Sequence, residues 1–132
     1  ADIITIHQES TTRLYSCIEK IKSRGVKAGV VLSPATNEDT LKYVLDKIDM
    51  ILLMTINPGE AGPGFHEELL TKIKNVRELI GDRDIDLEVD GGIDNTNIAK
   101  CKEAGVNVFV SGGYVFKGDI AEKIKTLREA LK

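Results

Sequence analysis

The chain has 132 residues, of which 42% are hydrophobic, and a formal net charge of −3. This size predicts one domain with a core over residues 1–132, and the evenly spread charge excludes a basic groove for nucleic acid. The sequence shows no apolar run of transmembrane length and no secretory leader, so we expect a cytoplasmic protein without a membrane partner. Cys17 and Cys101 lack the spacing of metal ligands. We expect them to be small core residues and not to form a disulfide.

The first half of the chain repeats a strand followed by a helix. Residues 2–7 are a β-branched apolar run that predicts a strand, and apolar residues at helical spacing predict a helix over 11–25. Residues 26–32 predict the second strand. A second helix is predicted over 37–48, where Asn37 is a candidate N-cap. The apolar residues on one face of this helix are Leu41, Val44, Leu45 and Ile48.

The second half continues the same pattern. Strands are predicted over residues 50–56, 85–89 and 106–110, and helices over 96–104 and 120–131. A further helix lies between the first two of these strands. Its apolar face consists of Leu69, Leu70, Ile73, Val76 and Ile80.

Strands that alternate with helices, and whose apolar runs are nearly continuous, predict a parallel α/β sheet buried on both faces. Two architectures fit this pattern, an open doubly wound sheet and a (β/α)₈ barrel. In both, the working face is formed by residues that follow the strands. The segments at the strand ends are therefore the candidates for function.

Three of the five strand ends are rich in glycine. The backbone N–H groups of such loops can approach an anion closely, and a following helix adds its dipole. In barrels, the loops after strands seven and eight form a phosphate site. If the last two loops are these, the chain holds strands four to eight. The strand-end segments are HQE (7–9), SPAT (33–36), NPGEAGPG (57–64), DGG (90–92) and SGG (111–113).

Four segments in a fixed order carry a family resemblance: IITIH, NPG.AG..F, EVDGGI and VSGG.VF. With helices between them, they closely resemble the C-terminal part of the ribulose-phosphate 3-epimerase family, to which allulose-6-phosphate 3-epimerase is closely related. The resemblance covers essentially the whole chain. It implies an α/β fold, a parallel (β/α)₈ TIM barrel of the ribulose-phosphate-binding type, of which this chain covers strands 4 to 8 only.

The resemblance implies inversion of C3 of a ketose phosphate, from D-ribulose 5-phosphate to D-xylulose 5-phosphate, through an enediolate. Removing a proton from one face and returning one to the other requires two acid/base groups. Asp90 matches the strand-seven aspartate of the family, which is one of these groups and a metal ligand. A divalent metal ion (Zn, Fe, Mn or Co) is the implied cofactor of the complete barrel.

The length of the chain limits what it is expected to do alone. A (β/α)₈ barrel usually has about 250 residues, and this chain begins at the strand that matches strand four. In the family, strands two and three bring the second aspartate and two metal-binding histidines. We therefore expect the chain to be inactive alone and to form part of a complete epimerase.

The glycine-rich loops imply where the substrate binds. In the family, their main-chain groups hold the sugar and its phosphate, and a side chain there would displace the phosphate. The family pattern NPGFGGQ.F differs here at Glu60, Ala61 and Pro63, so the sugar specificity stays open. The residues implied to bind substrate are Gly59, Glu60, Ala61, Gly62, Gly91, Gly92, Gly112 and Gly113.

His7 and Met54 are expected to lie beside the site and to support it. The histidine that matches His7 lies near the pocket in the family, and Met54 points either at the substrate or into the core. Each functional role has a structural alternative. Asp90 could form a turn with the glycines that follow it. Gly112 and Gly113 could form a tight connection, and His7 could be a buried hydrogen-bonding group.

Two other functions stay open. One is a non-catalytic half-barrel that binds phosphate and pairs with another chain. The other is a relative of a hexulose-phosphate epimerase, synthase or decarboxylase. Metal content would distinguish the first from a complete epimerase, and activity on hexulose phosphate would distinguish the second. The expected ligand is a small sugar phosphate, and homo-oligomer formation stays open.

Overall fold

The computed structural model describes residues 1–60 and 64–132 and shows five strands in one parallel sheet. The strands are β1 (Ile3–His7), β2 (Lys27–Leu32), β3 (Met50–Met54), β4 (Asp86–Asp90) and β5 (Val108–Val110). They lie in the order β1-β2-β3-β4-β5, and each neighbouring pair is parallel. The five predicted strands are confirmed, with ends that differ by at most two residues.

Four of the predicted helices are also present. The α-helices in the described part of the chain are α1 (Leu14–Lys22), α2 (Leu69–Ile80), α3 (Ile98–Ala104), α4 (Gly113–Phe116) and α5 (Ile120–Ala130). The side chain of Asp119 caps α5 by accepting a hydrogen bond from the N–H of Glu122 at 3.0 Å. The single turn α4 was not predicted, because two glycines open it and glycine disfavours helices.

The predicted α-helix over residues 37–48 is wrong. The segment forms two 3₁₀ helices, Glu38–Leu41 and Leu45–Lys47. Asn37 caps the first of them as expected, since its side chain accepts from the N–H of Asp39. The segment is rich in Asn, Asp, Thr, Tyr and Val, which are weak helix formers, and a tighter helix still meets the core. The predicted apolar face is buried: Leu41, Val44, Leu45 and Ile48.

One face of the sheet packs against the helices. On β4, Leu87 and Val89 are fully buried in the core, whereas Glu88 and Asp90 point to the opposite face and are half-buried. The helical side chains in this core include Leu14, Ile18, Ile73, Val76, Ile80, Ile98 and Cys101. Helices on one face and strands in sequential order form a barrel wall, whereas doubly wound sheets carry helices on both faces. The structure therefore favours the barrel of the two predicted architectures.

Two composition-based predictions can be compared with the structure. Cys101 is buried and Cys17 is half-buried, and both are free thiols. Burial raises the pKa of Cys101 to about 11, so this thiol is protonated at neutral pH. Within residues 1–60 and 64–132, no helix is both long enough and apolar enough to cross a membrane.

Candidate active site

Asp90 is the last residue of β4 and lies at the carboxyl end of the sheet. Its neighbours across the sheet are Met54 on β3 and Val110 on β5. Its backbone C=O accepts a hydrogen bond from the N–H of Thr55 at 2.9 Å, which fixes the end of the strand. Burial raises the pKa of its carboxyl above the ordinary value. A carboxylate with a raised pKa is a stronger base, which suits a group that accepts and returns a proton.

An open cavity of about 600 Å³ lies beside Asp90. The loops after β3, β4 and β5 form its walls. Six of the residues predicted to be functional line it, which places the predicted acid/base group and two of the glycine loops at one site. The lining residues are Ile56, Glu60, Gly64, Asp90, Gly91, Gly92, Ile93, Asp94, Val110, Gly112, Gly113, Tyr114 and Lys117.

Gly91 and Gly92 form a turn that no other residue fits. Their φ angles are +130° and +66°, which L-amino acids with a side chain rarely adopt. A Cβ at Gly91 would lie 2.6 Å from Cγ1 of Ile56, and one at Gly92 would lie 2.6 Å from the backbone N of Phe65. The chain can therefore turn sharply after Asp90 and keep its backbone close to the neighbouring loop.

Two buried polar side chains hold this turn. Thr55 is fully buried and donates a hydrogen bond from Oγ1 to the C=O of Gly91. Asn97 donates from Nδ2 to the C=O of Gly92 at 2.8 Å and accepts from the N–H of Asp94 at 3.0 Å. Neither residue was singled out in the sequence. Thr55 lies 36 positions from Gly91, whereas the DNTN segment around Asn97 is a turn signal that could have pointed to it.

Gly112 and Gly113 are different from the first glycine pair. A Cβ at either position would have no described atom within 4 Å. Their own packing therefore does not require glycine, and the space beside them belongs to the cavity. The hydroxyl of Ser111 donates to the C=O of Ile93 at 2.7 Å and ties this loop to the one after β4. The prediction that these glycines leave room for a ligand stays a prediction.

The loop after β3 is only partly described. Gly59 has a φ of +81° and is exposed, and it is not among the residues that line the cavity. Glu60 does line it, and its carboxylate accepts a hydrogen bond from Nδ2 of Asn57 at 3.3 Å. The predicted site residues Ala61 and Gly62 lie outside the described residues. The charge of Glu60 lies near the predicted phosphate, and Lys117 adds a cation to the same lining.

His7 and Met54 lie at strand ends but not in the lining of this cavity. His7 ends β1, and its Nδ1 lies 3.3 Å from Oε1 of Glu9. Met54 ends β3, is half-buried and pairs with Asp90 in the sheet. Both residues therefore stand at the carboxyl end, as predicted, and their functional roles stay predictions.

Two more carboxylates lie close to Asp90. Asp94 lines the cavity, and its Oδ1 accepts from the N–H of Thr96 at 2.8 Å and from the hydroxyl of Thr96 at 2.6 Å. Glu88 lies two residues before Asp90 on the same sheet face. Burial raises the pKa of Glu88, and the charges of Asp90 and Asp86 raise it further. Asp94 is thus engaged in a local turn, whereas Asp90 faces the cavity.

The described residues do not form a metal site on their own. Among residues 1–60 and 64–132, no three His, Cys, Asp or Glu side chains lie close enough to hold a metal ion. Asp90 can offer a carboxylate oxygen, which is a suitable ligand for the predicted metals. The remaining ligands would have to come from other residues.

Comparisons with known proteins give a consistent assignment. The model of the ribulose-phosphate 3 epimerase family matches residues 1–116. The chloroplastic ribulose-5-phosphate-3-epimerase of Arabidopsis thaliana is 42% identical over 97% of this chain and 47% of its own length. The ribulose-phosphate 3-epimerase of Serratia marcescens is 48% identical over 88% of this chain and 56% of its own. For that of Escherichia coli (strain K12), the values are 42%, 99% and 60%. The chain spans about half to three fifths of the length of these relatives.

Solved structures show the same fold. A 3-hexulose-6-phosphate synthase matches all of this chain and 63% of its own chain, with a TM-score of 0.74 and 24% identity. A 3-keto-L-gulonate-6-phosphate decarboxylase from Vibrio cholerae matches 99% of this chain and 61% of its own, with a TM-score of 0.75 and 19% identity. At these identities the likeness concerns the fold alone. The predicted parallel (β/α) barrel fold, with this chain as part of a barrel, is confirmed.

Proposed function

The chain belongs to the ribulose-phosphate 3-epimerase family, and we propose that it supplies one acid/base group and the phosphate loops of an enzyme that converts D-ribulose 5-phosphate to D-xylulose 5-phosphate. The main support is the single cavity that Asp90 shares with the glycines of two loops. A proton-transfer group and an anion-binding backbone within one cavity are what a sugar phosphate requires.

Asp90 acts on the carbon next to the ketose carbonyl. Its carboxylate takes the proton from C3, and the electron pair of the broken C–H bond passes to the carbonyl oxygen as the enediolate forms. A second acid/base group then returns a proton to the opposite face of C3, which inverts it. The carboxyl of Asp90 ends β4 and lines the cavity, which supports its contact with a bound sugar. The second group is proposed to lie in the additional length that the relatives have.

The phosphate binds at the glycine end of the cavity. Open space beside Gly112 and Gly113 lets their backbone N–H groups meet phosphate oxygens directly. Lys117 in the same lining attracts the anion, whereas Glu60 opposes it. This arrangement supports a phosphorylated sugar as the substrate class. Inorganic phosphate is therefore expected to compete with the substrate.

A divalent metal ion is part of the proposal for the full-length protein. Asp90 would supply one ligand, and a bound Zn, Fe, Mn or Co ion would supply positive charge to stabilise the enediolate. The other ligands would come from outside the described residues.

Exchange of the C3 proton tests the proposal directly. In deuterated water, the full-length protein is expected to exchange the C3 proton of ribulose 5-phosphate for deuterium. Proton NMR would measure this exchange. Asp90→Asn should slow this exchange by about a thousandfold and change the affinity for inorganic phosphate by less than about tenfold. Asp94→Asn is the matched control, because Asp94 lines the same cavity but is engaged by Thr96. It should retain exchange.

Other outcomes would contradict the proposal in different ways. Phosphate-ester binding without any exchange by the unaltered protein would favour a non-catalytic module. Exchange with a hexulose phosphate alone would favour a different substrate. Equal loss of binding and exchange in Asp90→Asn would make Asp90 a structural residue.

A further inference from the structure

The loop of residues 33–36, which follows β2 and is named the SPAT loop below, lies at the same end of the sheet as Asp90. Ser33 follows Leu32, which pairs with Leu53 on β3. Ser33 therefore lies beside Met54, whose partner on the next strand is Asp90. Neighbouring strands are about 4.8 Å apart, so Ser33 lies on the order of 10 Å from Asp90. It stands on the side of Asp90 away from β5 and its glycine loop.

A carboxylate holds the SPAT loop from one side. Oε2 of Glu9 accepts hydrogen bonds from the backbone N–H of Ser33 at 3.1 Å and from the hydroxyl of Thr36. Oε1 accepts from the hydroxyl of Ser33 at 3.2 Å and lies 3.3 Å from Nδ1 of His7. A carboxylate has about four acceptor positions, and these contacts use all of them. Although burial alone would raise it, these hydrogen bonds lower the pKa of Glu9 to about 2.

A buried ammonium group holds the same loop from the other side. Lys72 on α2 is only 9% exposed. Its Nζ donates to the backbone C=O groups of Ser33 at 2.9 Å, Pro34 at 3.0 Å and Thr36 at 2.6 Å. An ammonium group has three N–H donors, so the loop satisfies each of them. Burial lowers the pKa of Lys72, and the charges of Glu38 and Glu9 oppose this shift.

The two contacts are complementary. The donors of the SPAT loop face Glu9, and its carbonyl oxygens face Lys72, so an uncharged loop bridges two opposite charges. Glu9 also engages one nitrogen of His7, which fixes the ring and leaves Nε2 for another contact. Glu9 and Lys72 together form a clamp on the SPAT loop, and their opposite charges offset each other. The hydroxyl oxygens of Ser33 and Thr36 donate to Glu9 but keep lone pairs that can accept, and these acceptors suit sugar hydroxyls better than a phosphate.

We propose that Glu9 and Lys72 are positioning residues that hold the SPAT loop and His7 as a fixed wall for the hydroxyl-bearing end of the sugar, opposite the phosphate loops. This inference rests on the proposed epimerase function, because the sugar phosphate is the ligand that spans the two ends. It assigns the phosphate end to the β4 and β5 loops and the other end to the loops after β1 and β2.

Two variants of the full-length protein test the wall. Glu9→Gln keeps the size of the side chain but removes its charge, and Lys72→Met removes the donors to the three carbonyl groups. Each should lower kcat/KM for ribulose 5-phosphate about tenfold, as loss of an orienting partner does. The inhibition constant of inorganic phosphate should change by less than about twofold, because phosphate binds at the other end. Amide hydrogen exchange at Ser33 should become faster in Glu9→Gln.

Asp49→Asn is the matched control, because Asp49 makes a similar clamp at the amino end of the sheet. It accepts from the N–H of Ala28 at 2.9 Å and from Nζ of Lys22 at 2.7 Å. This variant should lower stability without changing kcat/KM. Faster exchange at Ser33 with unchanged kcat/KM would make the clamp purely structural and overturn the proposal. An equal loss of affinity for the sugar phosphate and for inorganic phosphate would also overturn the proposal. An unaltered protein that does not turn over ribulose 5-phosphate would instead contradict the proposed function.

Discussion

The two ends of the sheet use similar polar groups for different purposes. At the amino end, Asp49 binds the N–H of Ala28 and the ammonium of Lys22. In the same layer, Asn107 accepts from the N–H of Leu87 at 2.7 Å. These side chains close the ends of strands within the fold. They illustrate how the amino end of a parallel barrel serves stability.

At the carboxyl end, the polar groups surround a cavity. Asp90 faces it from β4, and the turns after β4 and β5 bring backbone to its edge. Glu9 and Lys72 hold a neighbouring loop rather than a strand end. The difference teaches that a charged side chain bonded to backbone groups is not by itself a functional residue. Its position on the carboxyl or the amino end decides how it should be interpreted.

The largest expected effect on stability is at the turn after Asp90. Gly92→Ala combines a φ of +66° with a Cβ 2.6 Å from backbone nitrogen, so the free energy of unfolding should fall by about 3 kcal/mol. Gly25→Ala is a matched control, since its φ is +73° but a Cβ there would meet no described atom within 4 Å. It should lose only about 1 kcal/mol. If urea unfolding showed the same loss of free energy for both variants, the neighbouring loop would have to move aside to accept the new Cβ.

The second glycine pair should affect binding instead. In Gly112→Val, the new Cβ would have no described atom within 4 Å. The free energy of unfolding should therefore change by less than about 0.5 kcal/mol. The side chain would fill the space beside the predicted phosphate and raise the inhibition constant of inorganic phosphate about tenfold. Competition kinetics with the full-length protein would measure this. Unchanged inhibition would remove this loop from the phosphate site.

A substitution at the amino end of the sheet should change stability but not activity. Asp49→Asn weakens the hydrogen bonds to Ala28 and Lys22, and the free energy of unfolding should fall by about 1 kcal/mol. The value of kcat should stay within about twofold, because the contact lies at the far end of the strands. A drop in kcat with unchanged substrate affinity would show that the two ends are coupled.

The smallest expected effect is on acid unfolding. The pKa of Glu9 is lowered from 4.5 to about 2 in the fold. Its ionised form therefore stabilises the fold above about pH 4.5, and this contribution is lost as the pH falls toward 2. Glu9→Gln should flatten the pH dependence of unfolding in this window, by less than about 1 kcal/mol because the group is partly exposed. Urea unfolding between pH 2.5 and 6 would detect it, and an unchanged slope would contradict it.

Much of the fold could be predicted because its signals are local. Apolar runs and helical spacing located the strands and most helices, since each pattern lies within one element. The segment at residues 37–48 was mistaken for an α-helix because burial alone does not separate α from 3₁₀ geometry. The order of the strands settled the architecture, and pairing between strands is not visible in a local pattern.

The site could be predicted only where one short segment carries it. Asp90 and the glycines after it are adjacent in sequence, and their pattern pointed to the cavity. Lys72 and Thr55 could not be found in this way, because their partners lie 36 or more positions away in the sequence. Gly59 lies outside the lining of the cavity although its loop matches a motif, so its predicted role stays a prediction.

The contrast between the two glycine pairs has a use in enzyme engineering. A library that randomises Gly112 and Gly113 would reshape the pocket without meeting described atoms near either Cβ. Randomising Gly91 or Gly92 would mostly yield destabilised protein, because a Cβ there meets the adjoining loop. A search for variants that accept bulkier phosphorylated ligands should therefore begin after β5 and leave the turn after β4 unchanged.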